Sequence, residues 1–183
     1  MSAFTPSQLH FALAQHLGQV LTPEAAARIV AMAEANPMPL PECEGDVTNE
    51  QRPEFFDFAN KALHAQYAPG TSRILTRLTG QHIRGVVVFS DMRRWSVEMA
   101  MASDGSSRWI NRAFLRCAFR YPFVQLGLKR VTGRIESSND AAMRLDEHLG
   151  FRHEGIQRAQ FGPHNAVLMG MLRHECRWIG ENE

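Results

Sequence analysis

Apolar residues change their spacing partway along this chain, and the change separates helices from strands. Over 53–67, Phe55, Ala59, Leu63 and Tyr67 share one helical face, and Pro69-Gly70 ends the pattern. Beyond it, the runs 72–78, 83–90 and 96–103 are short strand patterns separated by turns at Thr79-Gly80 and 91–94. Connections that short predict antiparallel neighbours. A helix over 109–121 follows, with Ile110, Ala113, Phe114, Cys117, Ala118 and Tyr121 on one stripe; Pro122 kinks or ends it, and Gly127 marks the exit. A strand over 129–137, a helix over 139–149 and strands over 151–158 and 165–173 complete the order. The helix over 139–149 is the best delimited. Ser138 or Asn139 can cap its free amides, Ala142, Leu145 and Leu149 make its buried face, and Gly150 stops it ahead of Phe151. An antiparallel meander feeding a strand–helix–strand crossover predicts an α/β fold, with helices packed on a mixed sheet.

Ahead of these elements, Thr5-Pro6 and Thr22-Pro23 each read as an N-cap followed by a first-turn proline, opening helices over 6–17 and 23–35. Ala-rich paired helices suit packing better than DNA reading. Pro37, Pro39 and Pro41 then impose an extended segment that runs into Glu42, Glu44, Asp46 and Glu50. The expected organisation is a helical extension over 1–70 packed on a main domain over 71–183.

Composition narrows the classes of function. A hydrophobic share of 44% and a charged share of 21% in 183 residues describe an ordinary globular chain. The formal charge of +1 speaks against wholesale electrostatic binding of nucleic acid. No apolar run approaches the ~20 residues of a membrane span, and no secretion signal is apparent. Cys43, Cys117 and Cys176 are far apart and odd in number, as expected of reduced thiols in a cytoplasmic protein. His148, His153, His164 and His174 lack metal-ligand spacing, so no metal is expected.

Two places could carry chemistry. The connection Ser103-Asp104-Gly105-Ser106-Ser107-Arg108 is polar and opens a helix, whose free amides and dipole suit a phosphate; Ser106, Ser107 and Arg108 add donors. Simple capping is the plainer alternative. Arg108, Arg112, Arg116 and Arg120 recur every fourth residue, as a solvated face, a phosphate contact at the first turn, or a track for a nucleic-acid backbone. Glu98 is the only charged residue within the apolar run 97–102, on the strand face opposite Val97 and Met99. Apolar surroundings would raise its pKa and suit a general base; an ion pair or a solvated face is the alternative.

Three segments together resemble the GNAT superfamily of acyl-CoA N-acyltransferases: V-E-M-A-M-A-S at 97–103, R-W-I-N-R-A-F-L at 108–115, and N-D-A-A-M-R-L-D-E-H-L-G-F-R-H-E-G at 139–155. The resemblance spans about 71–175 and is similar in flavour to the ribosomal-protein N-terminal acetyltransferases, including phage-borne versions. It implies that acetyl-CoA is the cosubstrate, with its pantetheine in a gap beside the main chain of Met101, Ala102 and Ser103. The pyrophosphate would rest on Ser106, Ser107, Arg108, Trp109, Ile110 and Asn111, and Asn139 would reach the pantetheine arm. The implied reaction moves an acetyl group to a primary amine of a protein N-terminus, a lysine or a small molecule, with Glu98 as the base.

Two departures accompany the resemblance. Trp109 and Asn111 stand where the family's phosphate loop has glycines, so the indole could hinder the cosubstrate. Asp146 stands where many members carry a tyrosine acid, and an ionised aspartate donates no proton. A fold-retaining, non-catalytic binding module is therefore the alternative function. Apolar surface on the extension could pair two copies.

Overall fold

Seven strands share one sheet in a computed structural model of the chain, which describes residues 39–180. The helices expected over 6–17 and 23–35 lie outside the described residues. In chain order the elements are β1 (Val47–Thr48), α1 (Pro53–Leu63), β2 (Arg73–Thr79), β3 (His82–Ser90), β4 (Ser96–Ser103), α2 (Arg112–Arg120), β5 (Arg130–Glu136), α3 (Asp140–Leu149), β6 (Arg152–Phe161) and β7 (His164–Leu172). The spatial order is β1-β2-β3-β4-β5-β7-β6. All neighbours are antiparallel except β4 and β5, which run parallel across the α2 crossover. The mixed α/β sheet is as expected from the pattern of the sequence.

Several boundaries differ from that pattern, each for a local reason. α1 ends at Leu63 because His64 turns left-handed with φ 49. Tyr67, expected in the helix, instead donates its amide to Asn60 Oδ1 at 2.6 Å. α2 begins at Arg112 rather than at 109, because Asn111 is extended and its Oδ1 accepts the Phe114 amide at 2.8 Å. That cap leaves Ser106 to Ile110 in a loop, so Arg108 is not in the first helical turn. Downstream, the missing N–H of Pro122 loosens the helix into a single π turn over Tyr121–Gln125, closed by Leu126 N to Tyr121 O at 3.0 Å. α3 matches its expected signals: Asn139 Oδ1 caps the Ala142 amide at 3.1 Å, and Gly150 is left-handed with φ 110. The short edge strand β1 was not anticipated. It follows the acidic stretch and pairs Val47 with Arg77.

Alternation along the strands divides the core into two layers. Val87, Phe89, Val97, Met99 and Val131 face α2 and α3, together with Phe114, Phe119 and Leu149. Val86, Val88 and Ala102 face the other way, against Phe55, Phe56 and Ala59 of α1. α1 and β1 thus belong to the same compact unit as the strands after residue 71. Burying one such large apolar side chain contributes about 1.5–3 kcal/mol.

Phe119 sits at the centre of the first layer, fully buried, stacked on Phe123 and Trp178 and tilted against Phe151. Phe119→Ala should cost about 3–5 kcal/mol in equilibrium urea unfolding. A loss below about 1 kcal/mol would contradict this packing.

Candidate active site

The site is built where β4 and β5 part. They pair only over Ser96↔Arg130, Val97↔Val131 and Glu98↔Thr132. Beyond Glu98, β4 stays paired with β3 through Ser103, and β5 stays paired with β7 through Glu136. Each strand follows its outer neighbour, and a gap opens between them. Two bonds fix which main-chain groups border it. The Asp104 amide donates to Arg84 O on the β3 side at 2.9 Å, and Trp95 O accepts the Arg130 amide on the β5 side at 3.2 Å. Strand alternation then directs the N–H and C=O groups of Met99, Met101 and Ser103 into the gap, and those of Ala102 toward Val86. Of the three expected main-chain contacts, Met101 and Ser103 thus face the opening, while Ala102 contributes its position beside it.

Two helix N-termini lie at the same end of the gap. β4 leads into the loop ahead of α2, and β5 leads through a short turn into α3. Their amide dipoles favour an anionic ligand there. The crevice beyond the carboxyl ends of two parallel strands is also the usual ligand position in open α/β sheets. Asn139 spends its side-chain oxygen on the α3 cap, as Asn111 does on α2.

Trp109 does not fill the gap. Its ring rests on Gly85 of β3, on the side of β4 away from β5, so close that a Cβ on Gly85 would lie 2.5 Å from Cε3. Only glycine admits the indole there. The ring also meets Phe114 edge-on at 6.4 Å between centroids. Ser106 keeps a polar partner in Asp104, whose Oδ1 accepts the Ser106 amide at 2.9 Å. The Ser106 side chain and amide, with Arg84 and His82, hold the Asp104 carboxyl well below its usual range. Ser106, Ser107 and Arg108 line a cavity of about 290 Å³ together with Arg77, Thr79 and Arg84.

Glu98 is the last residue of β4 that pairs with β5, and it lies on the α1 side of the sheet, opposite Val97 and Met99. Its carboxylate is ion-paired with Arg134 of β5. Burial raises its pKa; Arg134 pulls it back, and the nearby Asp91 carboxylate pushes it up again. Burial and the Glu98 charge together raise the Tyr67 phenol, against the pull of Arg134. For Asp91, burial acts upward but is outweighed by Arg93, Glu98 and Arg134 together, so its carboxyl falls below the usual value. Glu98, Asp91, Arg134 and Tyr67 thus form one polar group beside the gap. The sequence marked only Glu98 among them.

Asp146 corrects an expectation. It lies on the other face, with Oδ2 placed 2.9 Å from where a Cβ on Gly133 would be. Gly133 is the first β5 residue after pairing with β4 stops. Burial, with no nearby cation offsetting it, pushes the Asp146 carboxyl up to about 7. A fraction therefore carries a proton near neutral pH, whereas the sequence reading takes this carboxyl as ionised. Among the described residues, no group of three or more His, Cys, Asp or Glu side chains is placed to hold a metal ion. No helix among them is long and apolar enough to cross a membrane.

A seven-stranded mixed sheet whose parallel pair splays beside two helix N-termini is the GNAT acetyltransferase fold, and this chain has it. The spermidine N-acetyltransferase of Vibrio cholerae, solved with CoA and spermine, superposes with a TM-score of 0.58 at 16% identity, over 72% of this chain and 98% of that one. A chimera of that enzyme with hSSAT gives 0.59 at 16% identity, over 71% and 98%. YncA of Salmonella typhimurium, solved with acetyl-CoA, gives 0.56 at 18% identity, over 73% and 97%. No family model matches the sequence, and no curated protein matches it.

The raised Asp146 pKa has a thermodynamic consequence. An unfolded aspartate releases its proton near pH 4, but the folded chain retains it until about 7. The folded state therefore binds the extra proton in that window, and stability falls as pH rises through it. Asp146→Asn should remove this slope, so the variant gains on wild type between about pH 4 and 7 in urea titrations at stepped pH. Parallel stability curves for the two proteins would show that Asp146 is ionised throughout.

Proposed function

We propose that the chain transfers an acetyl group from acetyl-CoA to a primary amine. One observation carries this reading: the parting of β4 from β5 after Glu98 leaves main-chain groups of Met99, Met101 and Ser103 without a strand partner. Buried main-chain groups demand partners, and the amide-bearing arm of the carrier supplies them in kind. The fit is supported by Trp109, whose ring lies over β3 and leaves the gap open. The anionic end of the carrier suits the α2 N-terminus and the donors of Ser106, Ser107 and Arg108, with Ile110 and Asn111 closing the loop.

The chemistry follows from two carboxyl groups on opposite faces of the sheet. Glu98, raised by burial, takes a proton from the acceptor ammonium arriving on the α1 side. The amine nitrogen then forms a bond to the acetyl carbon and releases its second proton to solvent as the amide forms. The main-chain amides of the gap stabilise negative charge on the carbonyl oxygen as it develops. As the carbon–sulfur bond breaks, Asp146 gives its proton to the leaving sulfur on the α2–α3 side. Asp91 beside Glu98 suits a cationic acceptor. Two of the structural neighbours are spermidine N-acetyltransferases by name, which is consistent with an amine of this class.

A hundredfold excess of acetyl-CoA over its Kd should raise the Tm by about 5–10 °C. No shift at millimolar acetyl-CoA would favour the non-catalytic module instead. Glu98→Gln should cut kcat about 100-fold while leaving the Kd for acetyl-CoA within about twofold. Unchanged turnover at saturating acetyl-CoA removes Glu98 from the mechanism.

A further inference from the structure

We infer that Arg77, held by Asp46, is a positioning residue that fixes the loop before α2 in the shape that receives the carrier's phosphates. This rests on the function proposed above. Arg77 lies on β2 opposite Val47 of the edge strand β1, and its side chain is only 13% exposed. Its Nε donates to Asp46 Oδ2 at 2.7 Å, and its Nη1 donates to the Arg108 carbonyl at 2.5 Å. The Asp46 carboxylate also accepts from Asn111 Nδ2, at 3.4 Å to each oxygen. Asn111 in turn caps α2 through the Phe114 amide at 2.8 Å. One ion pair thus reaches both ends of the segment from Arg108 to Asn111.

The location of the pair explains why it matters. Beside the loop lies the cavity of about 290 Å³ lined by Arg77, Arg84 and Ser106 to Arg108, so packing alone does not locate the main chain there. The planar guanidinium can meet a carboxylate and a carbonyl at once in a fixed geometry, which a single ammonium cannot. Asp46 is itself fixed by its carbonyl, which accepts the Leu78 amide at 2.9 Å. The segment before α1 therefore has a role at the site: its Asp46 carboxylate, through Arg77 of β2, sets the angle at which the loop presents its donors. Arg77 and Asp46 act through the loop and touch no reacting atom.

The test compares Arg77→Gln, Asp46→Asn, the double variant and Arg77→Lys in the full chain. Each of the first two should raise the KM for acetyl-CoA about tenfold, with kcat within about twofold. The double variant should be no worse than the poorer single, because both act through one pair. Arg77→Lys should fall between wild type and Arg77→Gln. Without ligand, hydrogen exchange at amides 105–112 should quicken about tenfold in Arg77→Gln or Asp46→Asn while β6 and β7 are unchanged. Unchanged KM in variants of a wild type that binds acetyl-CoA overturns this inference alone, as do additive effects or exchange that quickens equally across the sheet. Should Arg77→Gln fail to fold, Asp46→Asn carries the same comparison. A wild type that neither binds nor turns over acetyl-CoA overturns the proposed function, and the carrier role of Arg77 with it.

Discussion

Two parallel strands that pair for three residues and then separate impose the arrangement of everything around them. A strand inside a sheet normally satisfies its main-chain groups on both sides. β4 and β5 do so only as far as Glu98 and Thr132, and past that point each is committed on one side alone. The separation is stable because β3 holds β4 from Glu98 to Ser103 and β7 holds the whole of β5. A large aromatic core beneath, with Phe114 and Phe119 fully buried, keeps α2 seated on the sheet while the strands diverge. The gap is therefore a property of the pairing pattern, not of any single side chain.

Much of this was legible along the chain because its signals are local. Asn139, Leu149 and Gly150 each announce α3 through a cap, a buried stripe and a left-handed stop, and each sits as those signals require. Strand alternation alone placed Glu98 opposite Val97 and Met99. What stayed hidden depends on register between distant segments. Arg134 meets Glu98 because Thr132 is level with it across a parallel pair, and nothing in either strand's own sequence encodes that alignment. Asp46 and Arg77 are likewise joined by the pairing of a two-residue edge strand, too short to stand out from its acidic surroundings. The early start expected for α2 failed because an apolar stripe through Ile110 continues past the helix, and only the extended backbone of Asn111 reveals where it begins.

Asp146 shows how burial changes the chemistry of a residue whose type was read correctly. An aspartate on a helix is expected to be ionised, since most such carboxylates meet water or a cation. Here the carboxyl is pressed against the bare backbone of Gly133, and no positive group offsets the cost of its partial burial. The neutral form is favoured, and a group unsuited to donating a proton becomes suited to it. Glu98 is less deeply buried and also meets Arg134, so its rise is opposed. The two carboxyls lie on opposite faces of the sheet, and different balances of burial and charge set their protonation.

The missing loop glycines have a counterpart across the sheet. A bulky side chain at 109 would obstruct the gap if it pointed along the loop toward β5. It points instead to β3, where Gly85 presents no Cβ and the ring lies directly on the backbone. Close approach between loop and sheet, which a glycine in the loop would permit, is here permitted by a glycine in the strand. The aromatic contact with Phe114 then ties the loop to the first turn of α2. The consequence reaches the site itself: with the indole seated on β3, the N-terminal end of α2 is held by packing on one flank and by the Asp46–Arg77 pair on another. A loop poor in glycine can thus be as well ordered as a glycine-rich one, provided that its large side chain is given a place away from the ligand.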